Sequence, residues 1–559
     1  MNYTDTYRQW LNSPAITADE RDELRGLDEG ERKARFFAPL SFGTAGLRGV
    51  MGPGLHRMNV YVVRQTTQAL ANLIVKEGPA ACRAGVIIGY DCRRDSDTFA
   101  KEAACVLAAN GVSVRLFSKL CPTPQVSFAI RHYGAAAGIN ITASHNPKEY
   151  NGYKVYWRDG AQLPPPHADA MAAEMDRLDI FTGAKSMNYN EAKGRGLITL
   201  LGDETDDAFL ACVLAQRVNP QPPKRQLDIV YTPFHGTGYA LVPRVLREAG
   251  YTGVSVVAAQ AVPDGTFPTV KSPNPEYLEG FTLAIEQAQI SGADVIVGTD
   301  PDADRVGVVV KNADGEYTAL SGNQTGVLLT DYLIRAKREA GTLADNACVI
   351  TTIVSTLMTD AVAAKQGVDL FRTFTGFKFI AEKMEEKQDV NSLLIGFEES
   401  YGYMIGDFCR DKDAVTATLL IVEMAHWYAE QGLTLSDAME QLFKTYGRYT
   451  EKTINQIMPG LDGLEKMRAL MDRLRREPLK ELAGTPVIAA VDYLSGTETT
   501  ADGTISTMEL SGSDVLAFKL KDGVTVLVRP SGTEPKIKIY ILSPHDDIGK
   551  YIAAVDGWQ

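Results

Sequence analysis

The chain has 559 residues, 45% hydrophobic and 23% charged, with a formal net charge of −13. That length exceeds what one hydrophobic core supports, so three or four domains are expected, and an acidic balance with no basic stretch against it argues against nucleic acid as a partner. The seven cysteines are scattered with no Cys-x-x-Cys pair, which points away from zinc and a disulfide framework and towards a reducing cytoplasm, and neither a signal core nor an apolar run near the ~20 residues of a membrane span is present.

Residues 1 to about 40 are charged and helical in pattern, punctuated by Pro14 and Pro39, and read as a helical extension. Gly43-Thr44-Ala45-Gly46-Leu47-Arg48-Gly49 follows. It misses the dinucleotide-binding pattern, with Thr44 where glycine is required, but leaves Arg48 as a candidate anion contact. Residues 86–88 read as a short buried strand and 98–109 as a helix capped by Ser96 or Asp97. Asn110-Gly111 ends that helix, and 112–116 form the next strand. The apolar run 137–141 then empties into Thr142-Ala143-Ser144-His145-Asn146-Pro147.

The rhythm restarts with strands at 227–231, 253–257 and 294–297, the last delivering Asp300-Pro301-Asp302-Ala303-Asp304-Arg305. A third cycle runs from 348–350 to 393–395, which delivers Glu398-Glu399-Ser400-Tyr401-Gly402. The last hundred residues change style. Runs 515–520 and 524–528 flank Asp522-Gly523, a strong hairpin signal, and 536–542 alternates polar and apolar. Between them lies Arg529-Pro530-Ser531-Gly532-Thr533. The expected fold is α/β with four domains: three α/β domains with mixed, largely parallel sheets, and a C-terminal α+β domain with an antiparallel sheet, arranged around a central cleft. The expected boundaries are 1–204, 205–322, 323–448 and 449–559.

Each polar loop follows a strand, where α/β sheets place their ligands. Asp300, Asp302 and Asp304 alternate along what reads as an extended segment, which would put three carboxylates on one side. Anions so close need a cation, and all-oxygen ligation suits Mg²⁺. An EF-hand is excluded, because Arg305 and Lys311 stand where that loop requires Gly and Glu; a solvated acidic turn is the plain alternative. Ser144 reads either as a capping serine or as a nucleophile, with no Gly-x-Ser-x-Gly elbow around it. Lys154, ten residues on, could return to it as acid, base or phosphate-binding cation. The Arg529 loop combines a fixed cation, two hydroxyls and a glycine, which suits a phosphate clamp or a plain turn. Gly265 to Ser272 is no Walker loop, so ATP is not implied. Glu398 and Ser400 offer an acceptor and a donor–acceptor to vicinal sugar hydroxyls. The segment Thr373-Phe374-Thr375-Gly376-Phe377-Lys378 is equally well a helix cap.

Taken together and in this order, these segments resemble the α-D-phosphohexomutase superfamily, in particular the longer bacterial and animal branch of phosphoglucomutases. Gly396-Phe397-Glu398-Glu399-Ser400-Tyr401-Gly402-Tyr403 is similar to that branch's sugar-reading loop and departs from the Gly-Glu-x-Ser-Gly-His form of other members. The resemblance implies that Ser144 carries a phosphate which, with Asp300, Asp302 and Asp304, holds Mg²⁺. It implies that Arg48, His145 and Lys154 flank the transferring phosphoryl group. Arg305, Thr375, Gly376, Glu398, Ser400 and Lys412 would bind the sugar phosphate, and Arg529, Ser531, Gly532 and Thr533 its non-reacting phosphate. A small sugar phosphate and its hexose 1,6-bisphosphate are the implied partners, in a cytoplasmic monomer or homodimer. Other readings are a phosphomannomutase or pentose-phosphate mutase of the same superfamily, a phosphatase using Asp300 as nucleophile, and a non-catalytic sugar-phosphate-binding protein.

Overall fold

The computed structural model describes residues 2–41, 46–223, 225–458, 463–531 and 536–558. The chain divides into two compact units, Met1–Gly322 with Ser400–Thr434, and Asn323–Glu399 with Leu435–Gln559.

The first unit begins with helices Tyr3–Asn12, Ala18–Arg25 and Glu29–Phe36. Thr17 and Glu20 cap the second of these reciprocally. Trp10 meets Phe36, Tyr61 and Phe181 edge to face, which seals the extension onto the domain behind it. That domain is built on a six-stranded sheet: β1 (Leu47–Val50), β2 (Val86–Tyr90), β3 (Val114–Phe117), β4 (Ala137–Ile141), β5 (Tyr150–Trp157) and β6 (Ile198–Leu201), in the order β1-β5-β4-β2-β3-β6. β2 is parallel to β3 and β4, and β3 to β6, while β5 turns back antiparallel to β4 and β1. β4 is buried at every position, so its sequence is an unbroken run rather than an alternating one.

The helix after β2 spans Ser96–Ala109, a start two residues earlier than the sequence suggests. Asp95, in the left-handed region, is its N-cap and makes no side-chain capping bond. Ser96 donates instead to Asp91 at 2.8 Å, so the serine expected to cap the helix is drawn off by a buried carboxylate.

The second sheet comprises β7 (Ile229–Thr232), β8 (Val254–Val256), β9 (Val295–Thr299), β10 (Val306–Lys311) and β11 (Tyr317–Leu320), ordered β11-β10-β9-β7-β8. β7 is parallel to β8 and β9, and β10 returns antiparallel to β9.

In the second unit, β12 (Ala347–Thr352) pairs in parallel with β13 (Asp369–Thr373) and β14 (Ser392–Glu398). The chain then passes through β15 (Gly402–Met404) and helix Ala414–Ala429, both in the first unit. That helix is buried almost throughout and packs on Gly238–Glu248. The C-terminal sheet is antiparallel, built of β16 (Thr450–Ile457), β17 (Glu481–Leu482), β18 (Thr485–Asp492), β19 (Thr497–Thr500), β20 (Ile505–Thr507), β21 (Leu516–Leu520), β22 (Thr525–Pro530) and β23 (Lys536–Ser543). Asp522-Gly523 turns β21 into β22, with Gly523 at φ 89° where a side chain would be strained. Alternation then gives the sheet two different partners. Phe518, Val526 and Ile541 face helices Gly463–Arg476 and Gly549–Val555, whereas Ala517, Leu527 and Tyr540 face Ile353, Val354 and Phe374 of the preceding domain. A shared apolar core therefore joins the two domains of this unit.

Candidate active site

The β4–β5 hairpin positions the nucleophile candidate. β4 ends at Ile141, the polar turn follows, and β5 brings Lys154 back opposite Asn140 while Gly152 pairs with Arg48 of β1. Ser144, Lys154 and Arg48 are thus gathered by register alone. Ser144 is 2% exposed, with φ 52°, a left-handed conformation rare for a residue with a side chain. Its Oγ donates to Asp300 Oδ2 at 2.8 Å and lies 3.2 Å from His145 Nδ1. Arg48 donates to Asn146 Oδ1 at 2.7 Å.

The aspartates arrive on the β9–β10 hairpin, and here the geometry corrects the expectation of an extended segment. Residues 300–304 form a compact turn in which Ala303, at φ 50°, donates its N–H to the Asp300 carbonyl. Asp300 Oδ1 accepts the N–H groups of Asp304 and Arg305, both at 3.0 Å. Convergence thus comes from a tight turn around one carboxylate, and the three carboxylates offer oxygens within 4.8 Å of one another.

Cations surround them. Lys154 Nζ bridges Asp302 Oδ2 at 2.8 Å and Asp304 Oδ2 at 3.0 Å, and Lys412 Nζ lies 3.3 Å from Asp304 Oδ2. Burial alone would raise both carboxyls, but these ammonium groups hold Asp302 and Asp304 below the usual carboxylate range. Lys154 is itself raised: burial opposes its charge and the two aspartates outweigh it. Asp300 goes the other way, pushed well up by burial and then by its two carboxylate neighbours. Desolvation, reinforced by Arg305 and Arg48, lowers His145 well below its ordinary value.

The donor set fits a hard dication. Asp302 Oδ1 and Asp304 Oδ1 are buried and have no hydrogen-bond partner, an arrangement costly unless a cation completes it. Arg305 reaches Glu276 at 2.9 Å and flanks Asp304 at 3.8 Å.

Sequence reasoning missed several supporting residues. Thr123 donates to Asp302 Oδ2 at 2.7 Å and is itself held by Asn140. Asp411 accepts from Tyr156, Gln162 and Lys412. Arg93 donates to carbonyls of the Ser144 loop. For Arg93 a signal existed: Asp91-Cys92-Arg93 is also a polar loop emptied from an apolar strand, β2.

The second unit assembles another group. Glu398, at the end of β14, accepts the Gly376 N–H at 2.7 Å. Thr375 and Gly376 follow β13, so the two strands flanking β12 bring these residues together at their C-terminal ends. Arg529, next to last in β22, lies beside Tyr540, and Ser531 N donates to the Lys536 carbonyl at 2.8 Å. Gly532 and Thr533 lie outside the described residues, as do residues 42–45. Ser400 is half-buried in the first unit, next to Tyr401, whose carbonyl accepts the Val306 N–H.

A four-domain α/β chain with a buried serine held against a carboxylate triad and lysines is the architecture of a phosphoryl-transferring mutase. The comparisons agree. Models of the phosphoglucomutase/phosphomannomutase family match residues 39–180 (alpha/beta/alpha domain I), 207–315 (domain II), 321–446 (domain III) and 455–554 (C-terminal domain). A phosphoglucomutase of Staphylococcus aureus is 36% identical over 535 residues, 94% of each chain. Among solved structures, a putative phosphomannomutase from Thermus thermophilus shares the fold with TM-score 0.68 and 22% identity, covering 93% of this chain and 98% of that one. The open form of Paramecium parafusin, a phosphoglucomutase, does so with TM-score 0.66 and 18% identity, covering 93% and 94%. The chain belongs to the phosphoglucomutase/phosphomannomutase family and is an isomerase of the phosphotransferring, mutase type.

Proposed function

We propose that the enzyme interconverts α-D-glucose 1-phosphate and glucose 6-phosphate, with Ser144 carrying the phosphate and glucose 1,6-bisphosphate as the intermediate. The observation that carries this reading is the buried Ser144 hydroxyl, 2.8 Å from Asp300 and in one network with Lys154, Asp302 and Asp304. Curated relatives over nearly the whole chain bear the name phosphoglucomutase, which supports glucose as the sugar.

On this reading, the first half-reaction breaks the Ser144 Oγ–P bond and forms a bond from phosphorus to the free sugar hydroxyl, whose proton passes to a nearby base. Freed Oγ keeps its place against Asp300, ready to take the other phosphate once the bisphosphate has turned over. The second half-reaction reverses the roles, so phosphate moves between O1 and O6 without ATP. His145, with Nδ1 3.2 Å from Oγ, would take or return the proton, and the Lys154 ammonium, kept charged by its two aspartates, would supply positive charge. Asp300, Asp302 and Asp304, with an oxygen on Ser144, would hold Mg²⁺, which when bound supplies charge neutralisation to the phosphoryl oxygens. Arg48, Arg305 and Lys412 add fixed positive charge. Glu398 and Ser400, with Thr375 and Gly376, orient the sugar hydroxyls; Arg529, Ser531, Gly532 and Thr533 hold the phosphate that is not reacting.

The test is the covalent enzyme. Protein as purified should contain a fraction heavier by one phosphate, mapped to the Ser144 peptide, stable to hydroxylamine and discharged by glucose 6-phosphate. A hydroxylamine-labile label on Asp300 would replace the mutase mechanism with an aspartyl-phosphate phosphatase. A coupled assay comparing glucose, mannose and ribose 1-phosphates, with and without hexose bisphosphate, tests the sugar.

A further inference from the structure

We infer that Arg93, a residue outside the catalytic set, is the positioning residue of the reacting loop, fixing the Ser144 nucleophile by gripping the loop's backbone. The inference rests on the phosphoserine reading above. Residues 142–149 leave β4 and have not yet joined β5, so most of their carbonyls lack a ladder partner. The Arg93 guanidinium, 3% exposed, supplies what is missing. Its Nη1 donates to the carbonyls of Pro147 at 2.9 Å and Tyr150 at 3.0 Å, and its Nη2 to those of Ser144 and Asn146, both at 2.5 Å. One planar fork therefore holds four carbonyls spread over seven residues, which a lysine, a single point of charge, cannot do.

The other side of the Ser144 peptide is tied to the same cation. The Ser144 N–H donates to Thr142 Oγ1 at 2.8 Å, and the Thr142 hydroxyl donates to Asp91 Oδ2 at 2.7 Å. Asp91 Oδ2 lies 3.3 Å from Arg93 Nε. Both the N–H and the C=O of Ser144 thus converge on the Asp91–Arg93 pair, and the left-handed φ of 52° is held from two sides. That conformation brings Oγ to Asp300.

The cation is itself locked from the second domain. The Phe267 ring lies 5.0 Å from the guanidinium carbon. Gly265 lets this segment approach, since a Cβ there would stand 2.6 Å from the Cys92 carbonyl and 2.7 Å from Arg93 Cα. Arg93 therefore links the domain that carries the nucleophile to the domain that carries the aspartates.

The experiment uses the full-length enzyme with glucose 1-phosphate at saturating bisphosphate. Arg93→Ala should lower kcat by roughly 100-fold, the scale of a reacting group misplaced by about 1 Å, while changing KM little. Free guanidinium ion at a non-denaturing concentration should restore at least about tenfold in Arg93→Ala and nothing in wild type, a rescue that a merely structural role would not show. Arg93→Lys keeps the charge and most of the packing, so it reports even if the alanine variant fails to fold, and it should fold and remain at least about tenfold impaired. Wild-type turnover in Arg93→Lys, or no guanidinium rescue of a folded Arg93→Ala, overturns the inference. A wild-type enzyme that carries no phosphate on Ser144 overturns the mutase reading itself, whatever the variants do.

Discussion

The region around Ser144 and the region around Glu398 and Arg529 are built on opposite principles. The first is closed and saturated with charge: Ser144, Lys154 and the three aspartates are each at most 3% exposed, and the lysine is fixed by two ion pairs. The second sets one buried carboxylate among half-buried groups and backbone donors: Glu398, 5% exposed, meets a peptide N–H, and half-buried Arg529 lies beside a tyrosine. On the proposed reaction this division follows from the chemistry. The phosphoryl-transferring groups act identically in both half-reactions and gain from rigidity, because preorganised charge needs no rearrangement at the moment of transfer. The reading groups must accept one sugar in two orientations, so their hold on it has to be remade between the half-reactions.

If the comparison is right, the most severe damage comes from the first region. Ser144→Ala should retain its fold and lose roughly a thousandfold or more in kcat, the scale for a missing covalent nucleophile, measured by coupled assay beside an intact-mass spectrum without the phosphorylated species. A variant that keeps wild-type turnover would remove Ser144 from the chemistry. Next, chelation with EDTA, or Asp302→Asn, should reduce turnover by about 10²-fold or more, since charge neutralisation is most of what phosphoryl transfer requires. Readdition of Mg²⁺ should restore the chelated wild type. Full activity in chelator would mean that Lys154 and Lys412 suffice.

The same contrast sets what the sequence made legible. The four polar loops could be read because each follows an apolar run in linear order. For the same reason, β4, β9, β14 and the Asp522-Gly523 hairpin fall close to where the patterns put them. Hidden from the sequence were features produced by return strands and packing. β5 and β10 turn back antiparallel, so Lys154 reaches the aspartates of another domain, and Asp302 takes a hydrogen bond from Thr123, 179 residues away. The turn at Ala303 is not legible in the sequence because alternating aspartates mimic a strand, while the Asp300 carboxylate, by accepting two successive N–H groups, folds the segment back on itself. Likewise, helix Ala414–Ala429 follows the Glu398 loop in sequence yet lies in the first unit, where nearly all-round apolar character, not amphipathic periodicity, marks its burial.

In the second region the expected losses are smaller and of another kind. Glu398→Ala should lower kcat/KM for glucose 1-phosphate by about 10- to 100-fold, the range for losing a few hydrogen bonds to the sugar hydroxyls, while leaving phosphate on Ser144. Loss of the phosphoserine in that variant would show that the two regions are not separate in function. Unchanged kinetics would make Glu398 a cap for Gly376 and nothing more.

The smallest effect should appear in stability and leave turnover nearly untouched. Asp413 shares the buried character of the first region but is not held by a cation. It caps helix Ala414–Ala429, accepting the N–H groups of Val415 and Thr416 and the Thr416 hydroxyl. Burial pushes it up to about 6 from an ordinary 3.8, against those hydrogen bonds. A carboxyl raised on folding binds its proton more tightly in the native state, so wild-type stability should fall as pH rises from about 4 to about 6 and then level off. Leaving this carboxylate charged at neutral pH costs about 3 kcal/mol at 1.36 kcal/mol per pH unit. Asp413→Asn removes that cost and keeps one acceptor for the helix N–H groups, but forfeits an acceptor worth about 1–1.5 kcal/mol. The variant should therefore gain about 1–2 kcal/mol above pH 6 in urea or thermal unfolding. That advantage should shrink and reverse towards pH 4, where the native carboxyl is already neutral. A difference that stays flat across this range would show that the helix N-terminus alone keeps Asp413 ionised, and that buried charge in this region does not need a cation to be tolerated.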